Sequence, residues 1–199
     1  NHSYALTLQV SREILKKAGF SGNLVHAAVG ENLPFPNNYF DIVTSFYTLE
    51  HVQDVTKVIS EASRVLKVGG YIFFIVPNYG SFWEGHFGVL WIPYLPKILA
   101  KHYINLLGKN GNLIDKLQLV NSFTLRIAAR KLPLEVLETG KSSFSEKVTK
   151  LNSGSEGTLG SAFGIIKFIK RIKILSVLVF FANLFEAQTP LIFVAKKTR

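Results

Sequence analysis

The chain has no cysteine and no methionine among its 199 residues. Without cysteine there can be neither a disulfide nor a thiolate metal site. The five histidines are scattered without ligand spacing, so the sequence predicts no metal centre. Acidic residues are few: 13 Asp and Glu stand against 23 Lys and Arg, a formal charge of +10. Such a surplus suits nucleic acid, anionic lipid or acidic ligands, or simply keeps a protein soluble. Nucleic acid is not expected, because no basic segment is interleaved with stacking aromatics. A bilayer-spanning run is lacking too. The charge-free stretch from Ile174 to Phe185 falls well short of the ~20 residues that a transmembrane helix needs. The chain starts with Asn and has no methionine, so it reads as a sequence lacking its N-terminus, and a missing start cannot show a signal peptide.

Hydrophobic residues make up 48% and charged residues 18%, which describes one globular domain over 1–199. Its organising stretch is Asn32 to Asn78. Two apolar runs, Phe40–Phe46 and Tyr71–Val76, flank a segment in which Val55, Val58, Ile59, Ala62, Val65 and Leu66 fall on one helix face. The runs are continuous rather than alternating, as in strands covered on both sides. The spacing predicts a strand, a helix and a parallel strand, with Gly69-Gly70 ending the helix.

The ordered set LPFPNNYFDIV, LEHV, RVLKVGG and VPN resembles the class I S-adenosylmethionine-dependent methyltransferases. The likeness is closest to the branch acting on quinones, lipids, sugars and other small acceptors. It covers Asn1 to about Pro96 and is weak beyond. It implies an α/β, Rossmann-like sheet in the order 3-2-1-4-5-7-6, strand 7 antiparallel, with helical lid insertions. The first helix matches the one after strand 2, so the first strands, their glycine-rich loop and the ribose-binding carboxylate would lie upstream of Asn1.

Elsewhere the pattern predicts a helix over 3–19, a short strand over 23–29 and helices over 96–107 and 121–131. Strand signals follow in 134–148, then a Gly/Ser-rich linker over 151–164, and a helix over 165–185, amphipathic and then apolar. The final strand is predicted over 187–196, with Pro190 near its start on a sheet edge. Within the linker and helix region 151–186, Lys167, Lys170 and Arg171 form a basic face opposite an apolar one. That face suits peripheral contact with an anionic membrane, and a lid role suits it equally. Residues 79–120, rich in aromatics, Gly and Pro, begin where a parallel strand ends. They read either as a lid over a ligand or as a packed insertion.

The resemblance implies cofactor contacts at Gly30, Glu31 and Asn32, and at Ser45 and Phe46, where the strand ends. Val29 stands where the family places an Asp, and Glu31 reads equally as a solvated turn residue. The candidate catalytic residues are His51, in LEHV, and His86, in EGHFG. A histidine can take a proton from a hydroxyl acceptor near neutral pH. His51 can equally cap the following helix, and His86 can equally be packed among aromatics. Asn78, Tyr79 and Trp83 are candidates for the acceptor pocket. The implied activity is methyl transfer from S-adenosylmethionine to a small or lipid- or sugar-linked acceptor by a cytoplasmic protein. The rival reading is a non-catalytic relative or a membrane-surface binding protein.

Overall fold

The apolar run Phe40–Phe46 forms strand β1, and it lies parallel to β2, Leu66–Val76. The structure, a computed structural model, describes residues 2–139, 186–187 and 189–199. After α1, His2–Lys17, the crossover between β1 and β2 is α2, Val55–Val65. Asp54 caps α2 by accepting the Lys57 amide at 3.1 Å. Val55, Ile59 and Ala62 on its buried face pack with Ile72 and Phe74 of β2 in the main core.

The helix stops earlier than the sequence predicts. Its last residue is Val65, and β2 starts at Leu66 with no loop between them. Phe40 faces Leu66 while Ile42 faces Tyr71, so residues 67–70 bulge out of the ladder. Gly69, at φ +82°, takes the bend, and a Cβ on Gly70 would lie 2.7 Å from the Asp41 carbonyl oxygen. The two glycines therefore shape a strand bulge and do not end the helix.

Arg64 explains why the Pro- and Asn-rich connection accompanies this helix. Its guanidinium donates to the carbonyls of Leu33 and Phe35 at 3.0 and 2.8 Å and to Asn37 Oδ1 at 2.9 Å. It also makes a forked pair with Glu61, both bonds 2.8 Å, and Glu61 accepts the Leu33 amide. Glu61 is held below the usual carboxylate range, chiefly by this bond from Arg64.

Beyond the crossover lie two short strands, β3 (Trp83–Glu84) and β4 (Val89–Leu90), paired antiparallel. Helices α3 (Lys97–Leu106) and α4 (Ser122–Ala129) come next. Asn121 caps α4 through the Thr124 amide. Strand β5 (Leu134–Glu138) and strand β6 (Leu191–Lys197) complete a sheet in the order β1-β2-β6-β5. β6 runs antiparallel to both neighbours. This is the 4-5-7-6 portion of the order that the resemblance implies, with its antiparallel strand in place.

Two further expectations are corrected. The run 23–29 is not a strand: Gly22–Leu24 is a 3-10 turn, and Val29 makes only an isolated bridge to Asn32. Leu24 and Val29 are exposed and find no partner strand among the described residues. Apolar residues alone do not make a strand without a ladder to join. The last strand is also not an edge. It lies between β2 and β5, and Pro190 precedes it, where no ladder amide is required. The strand signal after Glu138, the linker over 151–164 and the helix over 165–185 lie outside the described residues.

The aromatic insertion builds a core of its own. Tyr79, Phe87, Trp91, Ala100, Ile104, Ile114 and Leu117 pack together apart from the main core. Trp91 is pinned by its Nε1–H, which donates to the Tyr79 carbonyl at 3.1 Å. The body of 79–120 is packed, and its first hairpin walls a pocket.

Candidate functional site

β1 and β2 both end on the same side of the sheet because they are parallel. The chain leaves β1 through Tyr47, at φ +50°, and turns over Leu49–His51. It leaves β2 through Pro77 and Asn78. Asn78 is buried and braces this exit, donating to the Glu186 carbonyl and accepting the Gly80 amide. Between the two exits is a pocket of about 440 Å³, lined by Tyr47, Glu50, His51, Tyr79, Trp83 and His86 among others. Clefts at the carboxyl ends of such strands are where open α/β sheets bind ligands.

The β3–β4 hairpin supplies the pocket's polar wall. Glu84 is buried, and its Oε2 accepts the Phe87 amide at 2.7 Å. Its Oε1 lies 2.8 Å from His86 Nδ1 and 3.3 Å from the Tyr79 hydroxyl. A carboxylate so placed accepts a hydrogen bond from Nδ1–H of His86, which favours the tautomer with the proton on Nδ1. Burial, and then the Glu84 charge, push the Tyr79 phenol far above its ordinary range, so it stays neutral and donates.

The opposite wall comes from the turn after β1. Glu50 is 1% exposed, and its backbone carbonyl is fixed by the Gln118 amide at 2.7 Å. Its Oε1 lies 3.8 Å from His51 Nε2, while its Oε2 accepts no hydrogen bond among the described residues. The His51 ring stands 5.9 Å from that of His86. The two candidate catalytic histidines, far apart in sequence, are thus brought together. His51 does not cap α2, a role that Asp54 fills. Asn78, Tyr79 and Trp83 all line the pocket, as the sequence suggests.

Chain spacing shows no metal-ligating group, yet donor atoms of Glu50, His51 and His86 lie within 4.8 Å of one another. Linear spacing could not show this, because the three come from two different loops. Sequence reasoning also missed Glu84. Its only signal was a carboxylate two residues before His86.

Residues 4–74 match the family described as Methyltransferase domain. Over that segment the chain is similar to S-adenosylmethionine-dependent methyltransferases. The ubiquinone/menaquinone biosynthesis C-methyltransferase UbiE of Francisella philomiragia is 35% identical over 101 residues, covering 47% of this chain and 40% of that protein. The chain thus matches well under half the length of this relative. Among solved structures, a geranyl diphosphate methyltransferase in complex with SAM superposes with TM-score 0.50 at 13% identity, over 97% of this chain and 65% of that one. The [4+2]-cyclase SpnF does so with TM-score 0.50 at 15% identity, over 96% and 63%. These two likenesses concern the fold alone.

The five candidate cofactor residues divide into two groups. Ser45 and Phe46 end β1, whose second edge is unpaired among the described residues, and Phe46 is exposed. Neither residue lines the pocket. Gly30, Glu31 and Asn32 form a turn against the start of α2, away from the pocket. The Glu31 carboxylate accepts the amides of Gln53 and Asp54 at 2.7 and 3.1 Å. Burial pushes it up, yet these amides hold it below the usual carboxylate range. Both bonds fall on Oε1, so Glu31 braces the turn before α2. A Cβ on Gly30 would meet Val58 at 3.2 Å, so this glycine serves packing against α2.

Proposed function

We propose that this protein transfers a methyl group from S-adenosylmethionine to a small acceptor held in the pocket between Glu50, Tyr79 and His86. The observation that carries the reading is the convergence of two histidines and two buried carboxylates at the carboxyl ends of parallel strands. When bound, the cofactor supplies a methyl group already activated on a sulfonium. Ser45 and Phe46 would hold it through their backbone. What remains for the chain is to align the acceptor, exclude water and manage its proton. Alignment alone can contribute about 7–11 kcal/mol. His86, oriented by Glu84, and His51 face the acceptor's place from opposite walls of the pocket. Tyr47, Tyr79 and Trp83 give the pocket aromatic sides suited to a ring or an apolar chain. An acceptor of the quinone or lipid-linked kind is consistent with them, and the relative named for ubiquinone/menaquinone biosynthesis supports that choice.

The test is transfer of label from methyl-labelled S-adenosylmethionine to a panel of small, quinone and lipid- or sugar-linked acceptors, with S-adenosylhomocysteine quantified. Absence of cofactor binding by the full-length protein, measured by calorimetry, would overturn the reading. From the sequence of 165–185 we also infer weak attachment to anionic membrane through Lys167, Lys170, Arg171 and Lys173.

A further inference from the structure

We propose that Glu50, His51 and His86 form a binding site for one divalent transition-metal ion, from manganese to zinc. Three observations support it. The donor atoms of these residues converge within 4.8 Å. An ion bound tetrahedrally at about 2.1 Å holds its donors roughly 3.4 Å apart. The required closure is at most about 1.4 Å by that geometry, and the His51 side chain, 55% exposed, is free to swing toward the other two.

The second observation is independent of that geometry. Glu50 Oε2 is buried on the pocket wall and accepts no hydrogen bond among the described residues. A buried carboxylate oxygen without a donor is costly, and native structures almost always satisfy such atoms or place an ion beside them. The third is the pairing behind His86. Its Nδ1 lies 2.8 Å from the buried Glu84 carboxylate, a pairing that favours the tautomer with Nε2 unprotonated. Metal-binding histidines are typically held in this way.

The donor set selects the ion. Two imidazoles and one carboxylate suit manganese, iron, cobalt, nickel or zinc, whereas magnesium and calcium prefer all-oxygen shells. Three protein ligands leave positions open toward the cavity, as in reactive rather than structural sites. An oxygen of a bound acceptor, hydroxyl or carbonyl, is the ligand that those positions would take. That role toward an acceptor rests on the methyl-transfer reading, while binding of the ion does not.

The experiment uses the full-length protein, stripped with a chelator and then dialysed against Mn²⁺, Co²⁺ or Zn²⁺. Metal content is measured, and the Co²⁺ form is read by visible absorption. One ion per chain is expected, with Co²⁺ bands of mixed nitrogen and oxygen coordination. His51→Ala and His86→Ala should each weaken binding by at least about tenfold, and Glu84→Gln by about tenfold through His86. His26→Ala and His102→Ala, outside the cluster, should bind as the wild type does. Glu50→Gln keeps the shape of the buried side chain and should also weaken binding, with folding checked by circular dichroism. No stoichiometric ion, or equal binding by wild type and the His51→Ala and His86→Ala variants, overturns the proposal. S-adenosylmethionine calorimetry on the same stripped protein separates the two readings. An ion that binds where the cofactor does not supports the metal site while the methyl-transfer reading fails. Cofactor binding without any ion overturns the metal site alone.

Discussion

His51 and His86 stand edge to face across the pocket, ring centroids 5.9 Å apart and planes at 86°. One comes from the turn after β1 and the other from the hairpin after β2. Their meeting depends on the parallel pairing of those strands, which delivers both loops to one side of the sheet.

This geometry gives the first prediction. His86→Ala should lower turnover by about 10²-fold or more while changing S-adenosylmethionine affinity little, because it lies on the acceptor side. His51→Ala, nearer the end of β1, should affect both. Steady-state kinetics on the true acceptor, with cofactor calorimetry, checks this. Wild-type turnover in both variants would remove any chemical role for the pair.

Glu84→Gln tests how His86 is oriented. The amide fills the same space but no longer holds the Nδ1 proton as a carboxylate does. Turnover should fall by about tenfold or more. The Tyr79 phenol, pushed up by burial and then by the Glu84 charge, should in the variant titrate closer to an ordinary tyrosine. Ultraviolet absorbance across alkaline pH, compared with Tyr79→Phe, reads this out. An identical titration in wild type and Glu84→Gln would show that the carboxylate does not act on Tyr79.

The third prediction concerns stability and pH. Glu61 is held below its usual range in the fold by Arg64 and by the Leu33 amide. A depressed carboxylate contributes stability that is present above its unfolded value and is lost as pH falls through its folded value. Glu61→Gln should therefore destabilise by about 1–3 kcal/mol near neutrality and by less in acid. Arg64→Ala should also destabilise the fold and loosen the 33–37 connection. Denaturant melts at neutral and acidic pH decide it, and a pH-independent difference would contradict the linkage.

The fourth prediction rests on sequence alone, for 165–185. The full-length protein should float with anionic liposomes at low salt and be released at high salt, since each basic residue near such a surface contributes about 1 kcal/mol. Equal flotation with neutral liposomes, or none with either, would leave the basic face without a membrane role.

Much of the central unit was legible from local pattern. Val55, Ile59 and Ala62 mark a helix face whatever surrounds them, and the apolar runs of β1 and β2 mark strands, though Ile42 and Phe46 of β1 and Tyr71 of β2 are exposed among the described residues rather than covered on both sides. The ordered punctuation from Leu33 to Asn78 pointed to the methyltransferase family. Its physical basis is local as well: Arg64 and Glu61 tie Leu33, Phe35 and Asn37 to α2. Other features depended on partners that a linear reading does not contain. Gly69 and Gly70 could have ended a helix, and only the register of β1 against β2 made them a bulge. The run from Asn23 to Val29 looks like a strand until no neighbour offers it a ladder. Above all, Glu50, His51, Glu84 and His86 became one cluster only in three dimensions. Chain spacing reports which side chains share an element. Which loops share an end of the sheet is set by strand order and direction, and that was decided by the tertiary fold.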